Sequence, residues 1–420
     1  MKLIYWMHPL FLMAVWAAVA WFSYLMPADL YFLLMRVSKV IEFPHLLVAW
    51  AGITAFSLGV LFGLRSVSGR LTPRQEAQDS LRYVLEHVHF RRTCLFFFAV
   101  MTLAYAIWLG PTLNAGVLSA FLSGSGYSGR QLGNQISGIT TMTQFGVALA
   151  AVCGYGITLC AGRARSFYRI LLTLVLVFAV YRSFIWSERL ALVECAVPAM
   201  TAYVIARYRG HLSYRVLPVA AVLVVIFFFG VTEYFRSWNF YSQFGINIAY
   251  FSASRFLSYY ISSFNNLAIS IEWFEPTGLP LNTLAFFFKL PLPGFSYLNS
   301  LQANLWSETF MGGLTRYGNP EFNLFSGVGM TVSDFGIPAG IAVLSVHGFL
   351  SGRLYRLVQC GRMAGMLIYP VWMVGLLEFG RLLYWGTSRT LLIWVLLAIL
   401  VMAAKRLLRN RRMAAPVPSV

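Results

Sequence analysis

The stretch VLPVAAVLVVIFFFGV, residues 216–231, decides the fold class because it contains no charged side chain. Residues 391–404, LLIWVLLAILVMAA, and 171–180, LLTLVLVFAV, are of the same kind. A helix needs about 20 apolar residues to cross the hydrocarbon core of a bilayer. The whole chain of 420 residues is 59% apolar and 11% charged, which leaves too little polar surface to enclose a soluble globule. Because these runs do not alternate as barrel strands do, we expect an all-α, polytopic membrane protein.

The basic residues form short clusters between the apolar runs, at 65–92, 163–169, 207–215, 353–362 and 405–412. Two predicted spans separate each cluster from the next, so the positive-inside rule places all the clusters and both termini in the cytoplasm. The net charge of +18 therefore reflects topology, and we expect no nucleic-acid partner. About ten spans follow from this pattern. They are 3–25, 45–64, 93–111, 139–161, 170–186, 190–206, 216–232, 336–352, 364–383 and 388–404.

The spacing of the predicted spans divides the chain into three parts. Residues 1–232 form an N-terminal membrane bundle, and 336–420 form the C-terminal membrane helices with a basic cytoplasmic tail. Between them, 233–335 form a large external segment whose aromatic runs and prolines indicate short interfacial helices, although the part around 250–290 could instead hold a re-entrant segment or a further pair of spans. The cysteines form no CxxC pair and the histidines are scattered, so we expect neither a metal site nor a disulfide.

External arginines are the main chemical signal, because the positive-inside rule disfavours them at that face. Guanidinium groups bind phosphate oxygens in pairs, which predicts recognition of a lipid-linked anion at the outer leaflet. The alternative is that single arginines reach lipid headgroups or pair with Asp29, Glu188 or Glu233. The arginines are Arg36, Arg130, Arg182, Arg189, Arg236, Arg255, Arg316, Arg381 and Arg389.

Acidic residues are scarcer, and one of them is a candidate general base. For each, the alternative is a salt bridge to a neighbouring arginine, and Glu194 in particular could neutralise an arginine inside the bundle. The candidates near the external face are Glu188, Glu194, Glu272, Glu275, Glu308, Glu321 and Asp334.

The stretch NPEFNLFSGVGMTVSDFGIPAGIAVLSVHGFLSGRLYR, residues 319–356, resembles the signature of the Wzy-type oligosaccharide repeat-unit polymerases of bacteria. In that family an Asn-containing stretch is followed by an acidic-Phe-Gly element and a Gly-rich helix. SFIWSERLAL, residues 183–192, is similar to an Arg-centred turn of the family, and Arg316 with Gly327 fits its spacing of Arg and Gly eleven residues apart. The matching motif positions are Asn323, Asp334, Phe335, Gly336, Gly340, Gly348 and Gly352.

The resemblance implies a glycosyltransferase-C-like membrane enzyme that needs neither cofactor nor metal. It would polymerise undecaprenyl-pyrophosphate-linked oligosaccharides into O-antigen or exopolysaccharide at the periplasmic face of the bacterial inner membrane. Its partners would be the lipid-linked oligosaccharide, membrane lipids and a chain-length regulator. Asp334 or Glu321 would be the general base, although Asp334 could instead cap the helix that begins at Gly336. The resemblance and the arginine chemistry together make Arg182, Arg189, Arg255 and Arg316 the candidate pyrophosphate ligands.

Three other functions stay open at this stage. An O-antigen ligase would share the large loop but typically relies on a loop histidine, and residues 233–334 contain none. A transporter or flippase of lipid-linked sugars would show internal repeats and charged residues facing a central cavity, and neither is evident. The third is a non-catalytic scaffold in polysaccharide assembly.

Overall fold

The computed structural model describes residues 1, 3–69, 71–114, 116, 119, 136, 138–186, 190–208, 210–234, 243, 245, 247–288, 295–305 and 310–414. Within these ranges the secondary structure is helical, without β-strands. Eight of the described helices are long and apolar enough to cross a membrane, or up to nine if a bent pair counts as one span. The all-α, multi-spanning fold expected from the sequence is confirmed.

The described α-helices are α1 Pro9–Leu25, α2 Ala28–Met35, α3 Phe43–Ser66, α4 Arg74–Glu86, α5 Val88–Leu109, α6 Ile139–Met142, α7 Phe145–Leu159, α8 Gly162–Ile185, α9 Leu190–Arg207, α10 Leu212–Glu233, α11 Ile248–Trp273, α12 Ala285–Phe288, α13 Phe295–Leu305, α14 Gly312–Tyr317, α15 Ser326–Gln359, α16 Met363–Glu378 and α17 Leu391–Ala414. The bent pair is α1 and α2, whose axes differ by 105°. Helix α16 has only 16 residues. At about 1.5 Å per residue it is shorter than a hydrocarbon core of about 30 Å.

The long helices run between two ends of the bundle. At one end, which we call the basic end, Ser66, Arg353, Met363 and Lys405 surround one cavity. At the other end, the cavity end, a second cavity is lined by the C-terminal turns of α5, α8, α10 and α16 and by the first turn of α9.

Helices α3 and α15 form a close parallel pair along much of the bundle. A Cβ on Gly59 of α3 would clash with the carbonyl oxygen of Ser345, and one on Gly348 of α15 would clash with that of Phe56. Small residues at this spacing let two helix backbones touch, which is the packing that membrane helices use in place of a hydrophobic driving force. The glycines of the motif-like stretch therefore have a packing role in this structure.

Helix α15 is broken at Gly336, whose φ of 77° and ψ of 173° are not helical. Residues 326–335 fold back against the start of 337–359. The two arms approach so closely that a Cβ on Gly340 would lie 2.8 Å from the carbonyl oxygen of Thr331. Almost the whole first arm, 326–334, is buried. The predicted span begins at 336, so this buried arm belongs to the predicted external segment and was not expected from the sequence.

Helix α11 lies across the cavity end. Its beginning is next to the end of α10, where a Cβ on Gly230 would lie 2.7 Å from Ser252 Oγ. Its far end reaches the start of α3, where Glu272 Oε1 accepts a hydrogen bond from His45 Nε2 at 2.8 Å. For 233–335 the sequence predicts short interfacial helices, with a re-entrant segment or a further pair of spans around 250–290 as the alternative, whereas the structure has one helix of 26 residues, α11, whose middle is buried. The difference arises because most of its buried polar side chains have hydrogen-bond partners inside the fold: Asn265 Oδ1 accepts from the backbone N–H of Ile41 at 3.0 Å.

Candidate functional site

The cavity at the cavity end has a volume of about 830 Å³. Its wall comes from the ends of α5, α8, α9 and α10, from one face of α11 and from the chain at 320–324 and 381–389. Arg182, Arg381 and Arg389 all line it. Arg182 thus lines the same cavity as Arg381 and Arg389, although about 200 positions separate it from them in the sequence.

Arg182 belongs to the last turn of α8, and its side chain is buried. Its Nη1 donates to Thr143 Oγ1 at 3.1 Å, and the guanidinium lies 5.2 Å from the centroid of the Trp108 ring. With the Gln144 amide nitrogen oriented towards Glu194, that nitrogen donates to Glu194 Oε2 at 3.2 Å, and the amide oxygen accepts from Arg182 Nη2 at 3.3 Å. Gln144 therefore links Arg182 to the next charged pair.

That next pair is Arg389 and Glu194. Arg389 Nη1 donates to Glu194 Oε1 at 3.2 Å, and only 1% of the Glu194 side chain is exposed, against 30% for Arg389. The expectation that Glu194 neutralises an arginine inside the bundle is confirmed. The pairing explains how a carboxylate is tolerated in the first turns of a membrane helix, because a buried charge is retained only with a partner.

Arg381 and Glu378 form the deepest pair. Because α16 is short, the chain turns inside the bundle, and Arg381 Nη1 donates to Glu378 Oε2 at 2.7 Å. The guanidinium also lies over the rings of Tyr259 and Tyr260, 5.1 and 5.8 Å from their centroids. Arginine stays protonated in proteins, and the Glu378 carboxylate supplies the opposite charge that a buried guanidinium needs. The guanidinium is thus held charged.

Glu321 lines the same cavity and is held by Arg255. Arg255 Nη1 donates to Glu321 Oε2 at 2.7 Å, with 6% of the Arg255 side chain exposed and 44% of the Glu321 side chain. The Arg255 guanidinium lies 4.7 Å from the centroid of the Phe322 ring. Asn323 of the motif also lines the cavity. Glu321 and Asn323 therefore line the same cavity as Arg182, whereas Arg255 contacts Glu321 without lining the cavity.

Asp334 lies elsewhere. Its carboxylate is fully buried and accepts hydrogen bonds from the backbone N–H groups of Asn282 and Thr283 and from both their side chains, at 2.8 to 3.0 Å. It ties the turn at 281–284 to the hairpin of α15 and does not cap the helix beginning at Gly336. Phe335 and Gly336 are likewise outside the cavity lining. The motif pattern did not reveal this, because the donors come from a turn about fifty residues away.

Of the other predicted arginines that the structure describes, Arg36 and Arg316 do not line the cavity. Arg316 is exposed on α14, with its guanidinium 5.3 Å from the Tyr317 ring centroid. Arg189, Arg130 and Arg236 lie outside the described residues.

Sequence reasoning missed Glu378 altogether, although it fell within the predicted span 364–383. A carboxylate in an apolar span is costly and therefore marks a functional or paired position, so the signal was present.

In comparisons with models of known protein families, with curated proteins and with solved structures, the chain has no match. The chain is therefore described by its fold and its cavity. It is a multi-pass helical membrane protein with a cavity at one end of the bundle that is lined by both guanidinium groups and carboxylates. Its function has to be argued from the chemistry of that cavity.

Proposed function

We propose that the chain is a membrane glycosyltransferase that polymerises polyprenyl-pyrophosphate-linked oligosaccharide units inside the cavity described above. The observation that carries the proposal is the convergence of Arg182, Arg381 and Arg389 on one cavity wall. Guanidinium groups match the paired oxygens of a pyrophosphate and stay charged when partly desolvated. A volume of about 830 Å³ is in the range of small-ligand sites and suits the pyrophosphate with its neighbouring sugars.

The positions of the basic clusters support an outward-facing cavity. Arg353, Arg362, Lys405 and Arg409 surround the cavity at the opposite end of the bundle. The positive-inside rule assigns such clusters to the cytoplasm, so the arginine-lined cavity would face the periplasm of a bacterial inner membrane. Lipid-linked oligosaccharides would meet the protein there, with a chain-length regulator as a further partner.

The reaction is a displacement at the anomeric carbon of the donor glycan. A sugar hydroxyl of the acceptor attacks that carbon, the bond to the phosphate oxygen breaks, and the polyprenyl pyrophosphate leaves with the bonding electrons. Arginines placed at the leaving group stabilise the negative charge that develops on it. Glu321, half-exposed on the cavity wall, would take the hydroxyl proton, with Arg255 positioning its carboxylate.

The ligase alternative is less well supported. An enzyme of that kind typically relies on a histidine, and none of the residues that line this cavity within the described chain is a histidine. The polymerase assignment is consistent with a carboxylate in the role of base.

The test is to incubate the purified full chain in detergent with lipid-pyrophosphate-linked repeat units and no other enzyme, and to separate the products on a gel. A ladder of regularly spaced lengths that is lost per folded molecule in Arg381→Gln, which also breaks the ion pair with Glu378, but kept in Arg316→Gln would support the proposal. Arg316 is the matched control, because the substitution removes the same charge at an exposed position outside the cavity. Unchanged substrate with the wild-type protein would favour transport of the lipid-linked unit instead.

A further inference from the structure

The cavity at the basic end is a second concave site, separate from the arginine-lined one. Its volume is about 850 Å³. Four cationic side chains line it, and Glu76 is the one acid among its described lining residues. The cations are Arg353, Arg362, Lys405 and Arg409. Such an excess of positive charge in a hollow between helices is suited to a phosphate-bearing anion.

The lining also contains the hydroxyl side chains of Ser66, Ser68, Thr72 and Ser80 and a group of apolar side chains, and the apolar group distinguishes this site from a simple basic surface. Leu357, Met363, Ala364 and Leu408 lie among the cations. A free inorganic phosphate would gain nothing from these side chains, whereas a ligand that joins a phosphate to hydrocarbon would bury them.

Two apolar stripes lead along the helices to these cations. On α15, Val346 and Leu350 are 58% and 39% exposed and lie on the same helix face as Arg353. On α17, Val395 and Met402 are 43% and 61% exposed and share a face with Lys405. In a bilayer each stripe would contact acyl chains, and each ends in a cation at the cavity.

We propose that the basic-end cavity binds an anionic phospholipid, with its phosphate among Arg353, Arg362, Lys405 and Arg409 and its acyl chains along the stripes of α15 and α17. Charge complementarity selects the anionic headgroup, and the stripes select a lipid over a free phosphate. The site does not depend on the proposed polymerase function, because it lies at the opposite end of the bundle.

The experiment titrates the full chain in detergent with phosphatidylglycerol or with phosphatidylcholine of the same acyl chains, and counts bound lipid by native mass spectrometry. We expect preferential binding of phosphatidylglycerol. The double variant Arg353→Gln/Lys405→Gln should weaken that binding roughly 20-fold, since each basic residue near a lipid surface contributes about a factor of five. The matched control Arg163→Gln/Arg169→Gln removes two exposed charges at the first turns of α8, outside the cavity, and should change binding less than about threefold.

Two further arms separate the sources of phosphate. Inorganic diphosphate should fail to displace phosphatidylglycerol at equal concentration, and Leu350→Ser should weaken phosphatidylglycerol binding although it changes no charge. Equal losses of phosphatidylglycerol binding in the two double variants would overturn the proposal that the lipid binds in this cavity. Displacement by inorganic diphosphate, together with an unaffected Leu350→Ser variant, would overturn the lipid and leave a soluble phosphate as the ligand.

Discussion

The carboxylate of Glu378 and the guanidinium of Arg381 meet at 2.7 Å where α16 ends inside the bundle, with 5% and 16% of the two side chains exposed. The pair exists there because α16 stops after 16 residues and the chain that follows it, residues 379–386, is mostly buried. A charge at that depth is stable only with a partner, and here the partner is three residues away in sequence.

Glu378→Ala should destabilise the protein because it leaves Arg381 buried without its carboxylate. Breaking one side of a buried ion pair costs about 3–5 kcal/mol. The double variant Glu378→Gln/Arg381→Gln, which removes both charges, should recover part of this free energy of unfolding. Thermal unfolding in detergent measures the stability of these variants. If the stability losses of the two single substitutions simply add up in the double variant, the two residues are not coupled.

Arg182→Lys should impair polymer formation although it keeps the charge. Arg182 contacts Thr143, Gln144 and the Trp108 ring through a planar guanidinium, and an ammonium group cannot reproduce those contacts. Loss of one donor to a developing anion typically lowers kcat by about 100-fold. The initial rate of ladder formation is the readout.

Arg316→Lys is the control for this substitution, since Arg316 is exposed on α14. A comparable loss of rate in both variants would contradict a specific role for Arg182 and point to a general effect of lysine.

Glu321→Gln tests the proposed general base. The amide keeps the size of the side chain and its place beside Arg255 but cannot accept a proton, so the polymerisation rate should fall by at least about 100-fold. The rate is measured per folded molecule, because the substitution also removes the carboxylate partner of Arg255, whose side chain is only 6% exposed. A wild-type rate in this variant would assign the base to another residue.

Asp334→Asn should act on stability and leave the chemistry intact. An amide cannot accept all the hydrogen bonds that the Asp334 carboxylate receives from Asn282 and Thr283, and one of its own donors is left buried. We expect a loss of about 2–4 kcal/mol in unfolding free energy. The rate per folded molecule should stay within about threefold of wild type. A loss of rate in fully folded protein would restore the catalytic role that the sequence pattern suggested.

Gly348→Ala should destabilise the α3–α15 pair, because the added methyl group meets the carbonyl oxygen of Phe56. Overpacking of this kind costs about 1–3 kcal/mol. Gly110→Ala is the matched control, since nothing lies within 4 Å of a Cβ at that position, and it should change the free energy of unfolding by less than about 0.5 kcal/mol. Equal stability of the two variants would exclude close backbone packing at Gly348.

The cavity was only partly predictable from the sequence. Positive-inside reasoning marked Arg182, Arg381 and Arg389 as unusual, because the rule depends only on the order of apolar and basic segments. It did not separate them from Arg316, which the structure places on an exposed helix. Among the acids, Glu321 proved to line the cavity, whereas Asp334 did not.

Apolar content and the order of basic clusters are local properties of the chain, so the all-α, multi-spanning class and the position of nearly every long helix could be predicted before the structure was known. Which charged residues meet is a matter of long-range packing. The pairing of Arg389 with Glu194, the buried arm at 326–335 and the placement of α11 across the cavity end all depend on contacts between segments far apart in the chain. These contacts could be found only in the folded structure. A bilayer imposes a helix on each apolar segment, but the packing of the helices against one another depends on side-chain shape and on the pairing of buried charges.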